Sequence, residues 1–327
     1  MYKWTNVENI HTHSLGVSDN LRWNTTGITV LSTVAMRRLT DIYIDENDTL
    51  YLAAEVTDQV VWKLTKNSAT PTIVAGQLFI HGVNSTLLDN PQGVLLDSNG
   101  FIYVTDYNGH RLQRFDGISL NGVTVAGIAG LSGPAINQLN GPRYMTMDAT
   151  ETYIYIADSA NHRVMRFPRT STSGSNGVIV AGGNGSGNGN NQLNNPFGIY
   201  MNSAISNDLY IVNANGHSVM RWTPGAPSGT FIAGTPGSPG SSSTQLLVPR
   251  GIRVDSYSNV YVADMYNHRI QMFCQQSSVG VTIAGLVGIA GNGATELNRP
   301  QGIAFDSAMN LYVNDALNNR VQKFLKL

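Results

Sequence analysis

Residues 249–273 read PRGIRVDSYSNVYVADMYNHRIQMF, and residues 281–285 read VTIAG. Three short runs rich in Val, Ile, Tyr and Phe lie between clusters of Asp, Ser, Asn and His, and a fourth follows a variable loop. β-branched and aromatic runs of this length, bounded by residues that favour tight turns, read as antiparallel strands. No helical period competes with that reading. The unit recurs along the chain. Its second run returns as LYLAA at 50–54, IYVTD at 102–106, IYIAD at 154–158, LYIVN at 209–213, VYVAD at 260–264 and LYVND at 311–315. The tyrosines Tyr51, Tyr103, Tyr155, Tyr210, Tyr261 and Tyr312 follow one another at steps of 52, 52, 55, 51 and 51 residues.

Four strands per unit of roughly 40–55 residues, six times over, is the pattern of an all-β, six-bladed β-propeller of four-stranded antiparallel blades. One blade has two apolar faces and cannot bury both, so neighbours must stack around an axis. The sixth unit supplies QGIAFD, LYVND and NRVQKF and then the chain stops at Leu327. The missing strand is GITVL at 27–31, which resembles the GVTVAG strands. An N-terminal strand is therefore expected to complete the C-terminal blade and remove the open edges. Residues 27–327 form one propeller domain in this reading and 1–26 an N-terminal arm. Leu21-Arg22-Trp23 echoes Met220-Arg221-Trp222 and suggests a degenerate strand within that arm.

Composition narrows the functions. Of 327 residues 42% are hydrophobic, enough for a large core, and only 13% are charged, against about 25% in an average domain. A net charge of −1 gives no electrostatic footprint for nucleic acid. A single cysteine, Cys274, excludes an internal disulfide and a thiolate zinc site. No apolar run is long enough to span a membrane as a helix. The first 25 residues hold no signal-peptide h-region, so a secretory signal is expected to be absent or already removed.

These motifs resemble the NHL-repeat family. The resemblance rests on Pro91-Gln92-Gly93 with Asp106 and Asn108-Gly109-His110-Arg111, and on Asp158 with Asn161-His162-Arg163. It continues in Pro249-Arg250-Gly251 with Asp264 and Asn267-His268-Arg269, and in Pro300-Gln301-Gly302 with Asp315 and Asn318-Asn319-Arg320. It covers about 27 to 327 and implies the propeller fold. For function it implies either a binding platform or, in related branches, an enzyme.

His110, His162, His217 and His268, with Asp106, Asp158 and Asp264, recur at one place per unit. Pseudo-symmetry spreads such residues around a ring, roughly tens of Å apart given blades about 10 Å apart. They are expected to hold turns, Asp accepting turn N–H groups and Arg pairing with it, with Asn or Gly before His in a left-handed conformation. That turn is expected to lie far from the innermost strand. In the first unit Ala54, Asp58 and Gln59 replace Asp, His and Arg, so its turn is expected to be looser. The Gly-rich run 182–189 lacks the Lys-Ser/Thr and helix of a phosphate cradle and reads as a connection between blades. Sequons at Asn24, Asn47, Asn84 and Asn184 are glycosylation candidates and lend slight support to secretion.

A ligand is expected at the channel mouth, where the innermost strands begin. The second residue of each inner strand gives Thr40, Gln92, Arg143, Phe197, Arg250 and Gln301, which differ while their neighbours repeat. Arginines and glutamines there suit a carboxylate, a sugar or a partner's acidic loop. Peptidylglycine-amidating lyase, which resembles this fold, holds zinc with histidines near such strand starts; none occupies the six positions here. His11, His13 and His81 are dispersed. Gluconolactonase-like propellers need carboxylate and Asn ligands for a divalent ion in the channel; Asp41, replacing a motif glycine, is the only off-pattern acid placed near it, and one is too few. No catalytic residue, metal ligand or cofactor is assigned. The expectation is a non-enzymatic, extracellular binding or assembly module for a protein or carbohydrate ligand, with self-association through the arm as a further option. The alternative is a metal-dependent propeller enzyme. RNA binding, found in some family members, asks for a basic face absent here.

Overall fold

The computed structural model describes residues 21–32, 38–203 and 206–327, and the greater part of the expected arm, residues 1–20, lies outside them. Among the described residues twenty-four strands form six four-stranded antiparallel sheets. The first blade comprises Leu39–Ile44, Leu50–Ala54, Val60–Leu64 and Thr72–Gly76, from inside outwards. The six inner strands neighbour one another in cyclic order and return to the first, so the ring is closed. The last blade takes its outer strand from the N-terminal side: Ile28–Ser32 pairs antiparallel with Arg320–Phe324, with Ser32 opposite Arg320. The pairing extends upstream of residue 27. The Asn24 amide donates to the Leu325 carbonyl at 2.8 Å, and the Trp23 indole donates to the Met309 carbonyl at 2.9 Å.

Burial explains why no blade stands alone. Each of six apolar clusters lies between two neighbouring blades: Leu52 and Trp62 of the first pack with Tyr312 and Val321 of the sixth, and Ala53 and Val61 with Ile102 and Val104 of the second. Each valine, leucine or isoleucine side chain so exposed gives up about 1.5–3 kcal/mol if a blade is removed. In five blades an aspartate ends the inner strand and holds the first turn, and in the fourth Asn202 stands there. Asp255 accepts the Tyr257 and Asn259 amides at 2.9 and 2.8 Å and the Tyr261 hydroxyl at 2.8 Å. That bond ties the recurring tyrosine to the strand before it.

The second recurring aspartate pairs with arginine. Arg269 Nε donates to Asp264 Oδ2 at 2.8 Å, both groups almost wholly buried, and Asp264 Oδ1 accepts the Leu247 amide at 2.7 Å. The same guanidinium donates to the Ser242 and Gln245 carbonyls at 2.9 and 3.0 Å, pinning the loop that enters the blade. Arg111, Arg163 and Arg320 repeat the arrangement with Asp106, Asp158 and Asp315. The fourth blade has Asn213 and Ser218 at these places, a neutral substitute.

The histidines do a different job from the expected one. His110, His162, His217 and His268 are themselves the left-handed residues, with φ between 52° and 57°. Gly109, before His110, is required for room: a Cβ there would stand 2.2 Å from the Asp106 carboxylate. Each imidazole Nδ1 accepts a backbone N–H from the next blade, that of Gly141, Asn195, Val248 and Arg299, at 3.1–3.3 Å. Asn319 in the sixth blade accepts the Arg38 amide at 3.0 Å, and Gln59 in the first accepts the Asn90 amide at 2.6 Å. The ring of inter-blade bonds is complete. The first turn is one residue longer than the others, so Gln59 replaces His rather than Arg, and its Nε2 donates to the Val56 carbonyl at 2.8 Å. It is held, not loose.

Two outcomes follow. Arg269→Ser leaves Asp264 buried and unpaired and should cost about 3–5 kcal/mol in urea unfolding. Adding Asp264→Asn, which copies the fourth blade, should recover at least about 1 kcal/mol of that loss; equal losses in the single and double variants would refute the pairing. Burial holds the His217 imidazole below its ordinary pKa of 6.5. Below pH 6.5 the unfolded chain takes up a proton that the folded site resists, so this residue's contribution is whole above pH 6.5 and declines as pH falls. The stability of His217→Asn, which keeps an acceptor able to adopt φ > 0, should therefore rise relative to the parent as pH falls from 8 to 5, as read by urea unfolding.

Candidate functional site

Antiparallel pairing sets the start of each inner strand beside the end of the second: Pro91 faces Asp106, Pro142 faces Asp158 and Pro300 faces Asp315. The turn after the second strand is thus next to the channel mouth, contrary to the expectation from sequence. It contributes to a cavity of about 220 Å³ lined by Arg38, Glu55, Arg143, Arg250, Met265, Arg299 and Gln301, with Ala316 and Leu317. Four arginines face one carboxylate there.

Of the six expected rim residues, Arg143, Arg250 and Gln301 line this cavity, and three lie beneath it. Thr40 is fully buried, its hydroxyl within 3.2 Å of the Ala53 and Pro91 carbonyls, so it joins two blades. Gln92 is also buried, donating to Glu55 at 2.7 Å and to Asn90 at 2.9 Å while accepting from Arg143. Phe197 is 1% exposed and serves as a shelf. The Arg143 guanidinium lies between the Tyr107 ring at 4.0 Å and the Phe197 ring at 4.7 Å, and the Arg250 guanidinium lies over Phe197 at 4.0 Å. Stacking fixes both planes and weighs against their mutual repulsion.

Burial lowers the pKa of Arg143, and burial with the Arg143 charge pushes Arg250 down to about 10, which leaves Arg250 cationic at neutral pH. The Arg143 Nε is buried with no hydrogen-bond partner among the described residues. Crowded guanidiniums with spare donors are arranged for an anion, a carboxylate above all. Glu55, Arg38, Arg299 and Met265 were missed from sequence; the register of the first two strands, or the column before each proline, would have found the first three.

The four turn histidines each stay in their own blade, bonded to the next, and do not converge. Among the described residues no group of three His, Cys, Asp or Glu stands close enough to hold a metal ion. Asp41 lies inside the channel, buried, accepting the Ile42 and Val94 amides at 2.9 and 3.2 Å. Burial pushes its carboxyl up to about 6 despite Arg253 nearby. Asn24, Asn47, Asn84 and Asn184 are all exposed.

Residues 88–115, the first three strands of the second blade, match the NHL repeat, in agreement with the resemblance drawn from the motifs. No curated protein matches the sequence. Similar solved structures include an auxiliary nutrient binding protein from Bacteroides ovatus, 15% identical, covering 95% of this chain and 74% of that one, with TM-score 0.65. A gluconolactonase from Xanthomonas campestris is 14% identical over 94% of this chain and 95% of its own, with TM-score 0.63. A chain of the nidogen/laminin complex is 17% identical over 79% and 83%, with TM-score 0.55. At these identities the likeness shows the fold alone.

Proposed function

We propose that this propeller is a non-enzymatic interaction module, acting outside the cell, whose channel mouth seats an acidic group of a partner. The observation that carries this is the four-arginine cavity beside a single glutamate. At about 220 Å³ it lies below the roughly 300–1,000 Å³ of small-molecule pockets and suits one side chain or one sugar acid. A protein partner is favoured by the loops around the same mouth, where Phe79, Ile80, Leu131 and Ile289 are at least half exposed. Aromatic, apolar and arginine side chains together make interface hot spots. Similarity to a chain of the nidogen/laminin complex supports a protein partner, and the four exposed sequons support an extracellular site. A carbohydrate acid is the other ligand this mouth would accept, and self-association through the N-terminal residues is a separate option.

Peptide and glycan arrays on the intact chain should give hits that carry a carboxylate. Arg143→Ala and Arg250→Ala should each weaken those hits about tenfold or more. Hits indifferent to both changes would discard the mouth as the site. Stoichiometric zinc or calcium in the purified protein, lost together with a lyase or lactonase activity, would overturn the non-enzymatic reading. Loss of self-association in scattering on deleting residues 1–20 would assign assembly to that segment.

A further inference from the structure

The inner strands carry a second ring of differing residues at their far ends. The fifth residue of each gives Tyr43, Leu95, Thr146, Tyr200, Arg253 and Ala304, and all six line a chamber of about 570 Å³. Between this chamber and the arginine mouth the channel is shut. The third position is glycine in four blades, where backbones meet so closely that a Cβ on Gly251 would fall 2.2 Å from the Gln301 carbonyl oxygen. Asp41 and Tyr144 fill the other two places, both buried, with the Tyr144 hydroxyl donating to the Thr40 carbonyl.

The chamber is within the range of small-molecule sites and is mostly walled by aromatic and aliphatic side chains. Its charges are unequal in availability. Asp41 spends its oxygens on two backbone amides, and Asp255 spends its own on the turn and on Tyr261. Lys326 is an exposed residue at the chain end. Arg253 alone reaches in from the wall with fixed geometry, donating to the Ile252 and Ile42 carbonyls at 2.8 and 3.0 Å. Among the described residues its remaining N–H groups have no acceptor and no carboxylate comes within ion-pair distance of it.

We infer that this chamber is a binding site for a small amphiphilic molecule with one anionic group, its apolar body against Tyr43, Leu95 and Tyr200 and its anion on Arg253. The site is separate from the arginine mouth, so neither reading rests on the other.

A matched pair of probes tests it. 8-Anilinonaphthalene-1-sulfonate carries an anion, and N-phenyl-1-naphthylamine is the same aromatic body without it. Calorimetry on the full chain should show one of each bound per molecule. Arg253→Met should weaken the sulfonate about tenfold or more and leave the neutral probe within about twofold. Arg253→Lys should restore part of the loss. Ala304→Phe, which fills the chamber, should abolish both, with Leu95→Trp as the second filling variant if that one fails to fold. Arg143→Ala should change neither. Binding of neither probe, equal sensitivity of both to Arg253→Met, or binding that survives a folded filling variant would overturn the proposal. Retained binding of the neutral probe to Arg253→Met separates an anion-binding arginine from one that merely holds the wall.

Discussion

Six backbone N–H groups, one at the entry to each blade, donate to a side chain of the blade before, and the propeller's geometry depends on that ring. The acceptor is His in four blades, Gln59 in the first and Asn319 in the sixth. Acceptor and donor residues both have positive φ, including Val248 at 48°, a costly conformation for a β-branched side chain. Such strain persists only where the surroundings fix it. Here the neighbouring Asp–Arg pair holds the incoming loop, and the inter-blade bond sets where the inner strand begins. That start point decides which side chains ring the channel.

Much of this was legible in the sequence. Period-2 runs around the recurring tyrosines gave the blades, and the strand left over at residues 27–31 gave the closure, because a blade short of a strand leaves an edge that must be paired. The Asp–Arg pairing followed from spacing. The role of histidine did not, since its partner is a backbone amide about thirty residues on, and a backbone group leaves no trace in residue identity. The first turn was misread by one residue because Gln59 was aligned with Arg instead of His; chemistry alone, an amide oxygen for an imidazole nitrogen, recovers the right match.

The channel mouth was half legible. Counting from each proline found Arg143, Arg250 and Gln301 on the cavity, but the same column yielded Thr40, Gln92 and Phe197, which are buried supports. A column fixes height along the axis and says nothing of how far a side chain turns toward solvent. Phe197 shows the consequence: hidden itself, it sets the planes of two arginines. The fifth column, lining the lower chamber, was overlooked although strand alternation puts it on the same side as the glycines at the waist. A closed waist means one symmetric scaffold offers two chemically different ends, a crowded cationic mouth and a mostly apolar chamber whose wall holds one arginine, Arg253.

Hydrogen exchange at the amides of Arg38, Asn90, Gly141, Asn195, Val248 and Arg299 tests the ring most directly. All six should exchange only through global unfolding, with protection equal to that of the inner strands and lost together in denaturant. Exchange at loop-like rates, or protection that differs blade by blade, would contradict the claim that these bonds fix how the blades join.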